Sequence, residues 1–276
     1  MNSHAITRGE GMIRELDPSR YQAYFFDLDG TIYTGSKLLP GAGELIARLH
    51  QLGKKVMYLT NTTVYTREQC RARLQDMGLN PEREDIMTAG YVAATYLLQE
   101  QQKVQALVIG ERALTLELNG KGIMLTEDPL SATHLVVGLD REFTYDKLAA
   151  GMTAVRNGAR FIVANPDPFC PVPGGIIPDS WPIAKAIEAA STLRIHAMTG
   201  KPSAYYTDLA LRSSGLEAER CLMIGDRLET DMMMGVNSGV HTALVLTGVT
   251  TPEDLRQSNI VPDYVFATLA DLLKQV

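Results

Sequence analysis

Short apolar runs rich in β-branched and aromatic residues alternate along this chain with stretches whose apolar positions recur at helical spacing. Strand character is clearest in Ala23–Leu28, Lys55–Thr60, Val104–Gly110, His134–Leu139, Arg160–Asn165, Cys221–Gly225 and His241–Thr247. Helical periodicity marks Gly43–Leu52, Arg67–Met77, Tyr145–Asn157, Pro182–Ser191 and Ser203–Ser213 between them. Several of these stretches run into a glycine, where a left-handed C-cap is expected. The alternation predicts an α/β fold built on a mostly parallel, doubly wound sheet. One segment breaks the rhythm. Residues 165–182 hold six prolines and the only tryptophan, which predicts a stiff extended loop and no helix. Loops of that length in a compact chain are either functional or plain connections.

The 276 residues suffice for one large or two ordinary domains, and 45% hydrophobic with 21% charged residues is the composition of a globular protein. No apolar run approaches a bilayer span, so no membrane partner is expected. The N-terminus has no apolar stretch of the secretory kind, and residues 1–19 read as a mobile polar leader. Three cysteines, Cys70, Cys170 and Cys221, show neither close pairing nor metal-ligand spacing, which points to a reducing, cytoplasmic setting. A net charge of −6 disfavours nucleic acid as a partner. The five histidines are scattered and read as structural or surface groups.

The chemistry collects at strand exits. The run Ala-Tyr-Phe-Phe-Asp-Leu-Asp-Gly-Thr at 23–31 ends a strand on two carboxylates, Asp27 and Asp29. Alternation along a strand would put both on one side and turn Leu28 inward. Two crowded carboxylates repel unless a cation intervenes, an arrangement that suits a nucleophile beside an acid. An ordinary acidic turn is the bland alternative. Leu-Thr-Asn-Thr-Thr at 59–63 offers the Thr60 hydroxyl, and the backbone N–H or side-chain amide of Asn61, to a phosphate. Thr-Gly-Lys-Pro-Ser at 199–203 places Lys201 just before Pro202, which fits a helix start. Ile-Gly-Asp-Arg-Leu-Glu-Thr-Asp at 224–231 presents Asp226 at another strand exit, where it can join Asp27 as an oxygen ligand for Mg²⁺. Asp231, five residues on, suits a supporting place behind the ligands. Each piece is modest alone. Together, in this order at the carboxyl ends of strands, they are specific, because α/β sheets bind ligands there.

Phe-Asp-Leu-Asp-Gly-Thr, Leu-Thr-Asn, Gly-Lys-Pro and Gly-Asp-Arg-Leu-Glu-Thr-Asp resemble the four motifs of the haloacid dehalogenase superfamily. Their order and spacing resemble its class IIA branch of NagD-like and 4-nitrophenyl-phosphatase-like sugar and nucleotide phosphatases, over about residues 20–276. The 33 positions from Asp27 to Thr60 leave no room for an inserted domain, whereas the 141 from Thr60 to Lys201 do. The expected organisation is therefore a Rossmann-like core, residues 20–84 with 194–276, and an α/β insertion over 85–193. The resemblance implies that this insertion is a C2-type cap.

The resemblance further implies a Mg²⁺-dependent hydrolysis of small phosphomonoesters through an aspartyl-phosphate. In that scheme Asp27 is the nucleophile and Asp29 the general acid and base. Thr60, Asn61 and Lys201 hold the phosphoryl oxygens, and Mg²⁺ sits on Asp27, Asp226 and the Asp29 backbone carbonyl. Asn165, Asp167 and Trp181 are candidates for specificity contacts in the cap, Asn165 and Asp167 matching an Asn-x-Asp of related caps. A dehalogenase would need neither Asp29 as an acid nor Asp226. A phosphotransferase with the same core and a regulatory phosphate-binding module are the other readings, and the second would more plausibly have lost Asp27 or Asp29. No Gly-x-Gly-x-x-Gly follows the first strand, which sets aside a nicotinamide dehydrogenase. The substrate and the choice between monomer and homo-oligomer are open at this level.

Overall fold

The structure, a computed structural model, describes residues 15–100, 103–172 and 174–276. The described residues fall into two compact units, one within Met1–Tyr58 and Leu211–Val276, the other Leu59–Ala210. The second unit contains the whole expected insertion together with Thr60, Asn61 and Lys201 of the second and third motifs. Most of the expected leader, residues 1–14, lies outside the described residues. Within its last part Leu16 is buried and its N–H donates to Gln275 Oε1 at 3.0 Å, which ties that residue to the first unit, whereas Glu15, Asp17 and Ser19 are exposed.

The first unit is built on parallel strands in the spatial order Tyr264–Phe266, His241–Val245, Cys221–Gly225, Ala23–Phe26 and Lys55–Thr60. The Ala23–Phe26 strand is buried at every position, as expected of a central parallel strand covered on both faces. It pairs Phe25 with Met223 on one side and with Met57 on the other. The chain passes into the second unit after Tyr58, within the Lys55–Thr60 strand.

The second unit has its own five-stranded parallel sheet, in the order Ala197–Met198, Arg160–Val163, His134–Val137, Gln105–Ile109 and Met124–Leu125. The period of two decides its packing. Leu107, Ile109, Leu135, Val137, Phe161 and Val163 face the helix Ser180–Ser191 through Ile183, Ala184 and Ile187. Their neighbours Ala106, Val136 and Ile162 face the helices Ala89–Leu97 and Arg112–Gly120 through Ala93, Leu97, Leu114 and Leu118. Each large aliphatic or aromatic side chain so buried contributes roughly 1.5–3 kcal/mol, before the entropy of ordering it is subtracted.

The proline-rich stretch is extended, but it is not a bare loop. Phe169–Val172 and Gly175–Pro178 pair as an antiparallel hairpin, with Cys170 opposite Ile177. Its last residues are helical: Pro182 sits in the first turn of Ser180–Ser191, where a missing N–H loses no intrahelical bond. Asp179 caps that helix by accepting from the Ser180 N–H at 2.6 Å.

Candidate active site

In the first unit the Ala23–Phe26 strand ends one residue before the first aspartate, although the Asp27 N–H still continues the ladder onto the Ile224 carbonyl at 2.9 Å. The chain then turns tightly, with the Leu28 carbonyl accepting from Thr31, Ile32 and Tyr33. Strand alternation therefore stops before it can place Asp29. Asp27 is buried whereas Asp29 is exposed, and the Tyr33 hydroxyl donates to Asp29 Oδ2 at 3.3 Å. The turn thus separates the two carboxylates into a buried one and an accessible one, which fits a nucleophile and a proton carrier better than two equivalent groups.

Asp226 follows the Cys221–Gly225 strand and is almost wholly enclosed. Its Oδ2 accepts from the Val249 N–H at 2.6 Å, and its carbonyl accepts from the Thr250 N–H at 3.1 Å. The carboxylate lies in a cradle made by glycines. A Cβ on Gly30, whose φ is +85°, would come within 2.6 Å of Asp226 Oδ2, and a Cβ on Gly248 would overlap the same oxygen.

Asp231 is closer to this centre than its sequence separation suggests. The chain after Arg227 forms a π-helical turn, Leu228–Met232, which returns the Asp231 carboxylate over Gly225 and lets Oδ2 accept from the Arg227 N–H at 3.1 Å. Asp27, Asp226 and Asp231, all buried, bring carboxylate oxygens within 4.8 Å of one another. Buried like charges at such separations repel strongly unless a cation is shared. Hard oxygen donors on a firm glycine-backed frame suit Mg²⁺. Asp231 accordingly stands with the other two and not behind them. The expected ligand role of the Asp29 carbonyl rests on the family resemblance alone.

The second unit carries the other expected residues. Thr60 ends its strand and is buried, with Oγ1 accepting from the Thr62 N–H at 3.1 Å. The Tyr206 hydroxyl lies 2.7 Å from the Met87 carbonyl and 3.2 Å from that of Thr60, pinning the strand end. Lys201 is almost wholly buried, and its Nζ donates to the Leu59 carbonyl at 2.8 Å. It is not at a helix start. The helix begins at Ala204, after a turn that contains the cis Lys201–Pro202 peptide, and Ser203 Oγ accepts from the Tyr206 N–H at 3.2 Å. A hydroxyl one residue beyond the proline thus does the capping that the sequence suggested the proline would begin.

Asn61 does not offer its side chain to a ligand. Its Oδ1 accepts from the Lys201 N–H at 2.8 Å, and its Nδ2 donates to the Lys201 carbonyl at 3.0 Å and to both Asp167 oxygens at 3.2 Å. Asn165 and Asp167 are buried as well. Asn165 Oδ1 accepts from the Asp167 N–H at 2.6 Å, and its Nδ2 donates to Asp179 Oδ1 at 3.1 Å. Trp181 is partly buried against the apolar core of its unit, with the Lys185 ammonium 5.3 Å from its ring centroid. The features not anticipated from the sequence are the glycine cradle, the Val249 and Thr250 backbone donors, the π-turn at Asp231 and the Tyr206 anchor. The Thr-Gly-Val-Thr-Thr that follows the His241–Val245 strand was a readable sign of the second.

Comparison with known proteins identifies the family. The family model for haloacid dehalogenase-like hydrolases matches residues 24–124, and a second, HAD-hydrolase-like, matches residues 198–272. The acid sugar phosphatase of Staphylococcus aureus (strain USA300) is 34% identical over 257 residues, which cover 93% of this chain and 98% of that one. The crystal structure of 4-nitrophenylphosphatase from Thermotoga maritima superposes with a TM-score of 0.88 at 32% identity, covering 93% of this chain and 98% of the other. NagD from Escherichia coli K-12 superposes with a TM-score of 0.83 at 28% identity, covering 91% and 98%. The motif order, the carboxylates at the strand exits and a likeness that runs through both units lead to one assignment: this chain belongs to the haloacid dehalogenase-like hydrolases, in their NagD-like branch.

Proposed function

We propose that this protein is a Mg²⁺-dependent phosphatase of small phosphomonoesters, with sugar phosphates the foremost substrate class. The observation that carries the reading is the buried trio Asp27, Asp226 and Asp231, whose oxygens lie within 4.8 Å of one another at strand exits. The likeness to a protein named acid sugar phosphatase supports the substrate class. Asp27, Asp226 and Asp231 would hold Mg²⁺, which when bound offsets the negative charge of nucleophile and phosphate.

Asp27 attacks phosphorus in line. A new bond forms from its carboxylate oxygen while the bond to the ester oxygen breaks, leaving an aspartyl-phosphate. Asp29, exposed and able to exchange protons with solvent, gives its proton to the departing alkoxide. It then takes a proton from the water that hydrolyses the intermediate and regenerates Asp27. The Lys201 ammonium and the Thr60 hydroxyl hold the phosphoryl oxygens, and Asn61 contributes through its backbone N–H, its side chain being committed elsewhere. Residues 85–193 serve as the cap that selects the leaving group. The cysteines, which form no disulfide, fit a cytoplasmic setting.

The test is phosphate release from 4-nitrophenyl phosphate and a hexose phosphate by the purified protein. Activity is expected with Mg²⁺, is expected to stop with EDTA, and should fall about a thousandfold or more in Asp27→Asn. Full activity in EDTA would overturn the metal assignment, and no release from either ester with Mg²⁺ would overturn the reading itself.

A further inference from the structure

A continuous line of buried hydrogen bonds runs from the N-cap of the Ser180–Ser191 helix to the lysine of the third motif. Asp179 accepts from Asn165 Nδ2 at 3.1 Å, Asn165 Oδ1 accepts from the Asp167 N–H at 2.6 Å, and Asp167 accepts from Asn61 Nδ2 at 3.2 Å. Asn61 then grips the Lys201 residue from both sides, taking its N–H at 2.8 Å and giving to its carbonyl at 3.0 Å. Each link joins two buried side chains or a buried side chain to the backbone of the next residue in the line.

We infer that Asp167 is a positioning residue for the phosphate-binding lysine, acting through the orientation of the Asn61 carboxamide, and is not a specificity contact. The inference rests on the proposed phosphatase reading for the role of Lys201, but the hydrogen-bond line stands apart from it. A carboxamide is nearly symmetric in shape, so sterics alone do not choose which end faces the Lys201 N–H. If the group turned over, Nδ2 would meet the Lys201 N–H and Oδ1 would meet the Lys201 carbonyl, leaving two buried mismatches. Asp167 adds a third mismatch to that state, because its carboxylate accepts hydrogen bonds and repels an amide oxygen. Asn165 fixes Asp167 in turn, and the helix cap fixes Asn165. The same packing explains Gly200. A Cβ there would come within 2.5 Å of the Ala164 carbonyl and 2.9 Å of Asn61 Oδ1, so no side chain can stand between the lysine loop and the Asn165 turn.

The test is a double-mutant cycle on Asp167→Ala and Asn61→Ala, with Asp167→Asn as the conservative variant. Three quantities are read in the full-length protein: amide hydrogen exchange at Lys201, inhibition by inorganic phosphate, and kcat/KM on an aryl and a sugar phosphate. In Asp167→Ala, Lys201 exchange should quicken, phosphate inhibition should weaken about tenfold or more, and both esters should lose kcat/KM by the same factor, as expected of a misplaced group. Asp167→Asn, which keeps one carboxamide oxygen to accept from Asn61, should recover most of the loss. The double variant should be no worse than Asn61→Ala. A changed ranking of the two esters with Lys201 exchange unaltered would make Asp167 a leaving-group contact and overturn the inference. Additive losses would overturn it too. A wild-type protein that hydrolyses neither ester, while Asp167→Ala still loosens Lys201, would instead strike the phosphatase reading and leave the positioning role intact.

Discussion

At the scale of single residues, the site is defined as much by where side chains cannot be as by where they are. The Asp226 carboxylate fills the space that a Cβ at Gly248 would take, and it is held there by the Val249 N–H. Gly248→Ala should therefore push Asp226 off its donor without touching any charged group. Groups that orient metal ligands typically shift metal affinity about 10–100-fold when altered. Under the proposed Mg²⁺ assignment, the expected outcome is a rise of that size in the Mg²⁺ concentration giving half-maximal activity, with substrate KM at saturating Mg²⁺ little changed. An unaltered Mg²⁺ dependence would show that the loop gives way without cost. The strand ends that carry Asp27, Thr60 and Asp226 were legible in the sequence because their apolar runs are long, whereas Lys201 follows only the two-residue strand Ala197–Met198 and was marked by its Gly-Lys-Pro motif alone. Asp231 was placed too far out because a π-turn does not declare itself in residue spacing. The choice between the Asn61 backbone N–H and its side chain stayed open in the sequence for a related reason: the side chain's partners, Lys201 and Asp167, stand 140 and 106 residues away.

At the scale of elements, the strongly apolar strands were read to within two residues of their bounds, and Lys55–Thr60 and Cys221–Gly225 coincide with expectation. Short strands such as Ile86–Thr88 and Met124–Leu125 carry too few residues to show a period, and the helices Ala89–Leu97 and Arg112–Gly120 were likewise not anticipated. The proline-rich hairpin escaped because its pairing depends on a partner strand and not on propensity. The His134–Val137 strand bears a titratable group in an otherwise apolar row. Burial lowers the His134 pKa from its ordinary value of 6.5, with Arg160 and His196 adding to the effect and Glu100 opposing it. His134 Nε2 is 3.8 Å from Glu100 Oε1, and Nδ1 is 2.9 Å from Thr133 Oγ1. A histidine neutral when folded and protonated when unfolded makes the unfolded chain the better proton binder between the two pKa values. Its stabilising share is thus complete above about 6.5 and is lost as pH falls through the lowered value. Urea midpoints measured between about pH 7.5 and about pH 5.5 should fall more steeply for the wild type than for His134→Asn. Parallel slopes would mean that the histidine contributes nothing.

At the scale of the whole molecule, the sequence leads one to expect an insertion over 85–193, after the second motif. The compact units divide the chain at Tyr58 and Leu211, which keeps Thr60, Asn61 and Lys201 with the inserted segment's own sheet. The three clustered carboxylates belong wholly to the first unit. Under the proposed metal assignment, Mg²⁺ binds the folded first unit and not the unfolded chain. At a hundred times its dissociation constant it should stabilise the protein by about 2.7 kcal/mol. Thermal unfolding with and without Mg²⁺ should show this as a raised midpoint, and Asp226→Asn should abolish most of the rise. An equal rise in that variant would place the cation elsewhere.

The proline-rich hairpin has a consequence for how such a protein can diverge. Its two arms are closed at the base by the Asp179 N–H on the Pro168 carbonyl and the Trp181 N–H on the Asp167 carbonyl, each at 3.1 Å. The first rung, Phe169 opposite Pro178, comes only after that closure, and Ile176 further out is largely exposed. Whatever length or composition the arms acquire, the residues below the closure keep their register. The hairpin is in this sense a cassette on a fixed socket. Lineages can redecorate it while Asp167 and Asn165, below the closure, keep the hydrogen bonds that reach Asn61 and Lys201.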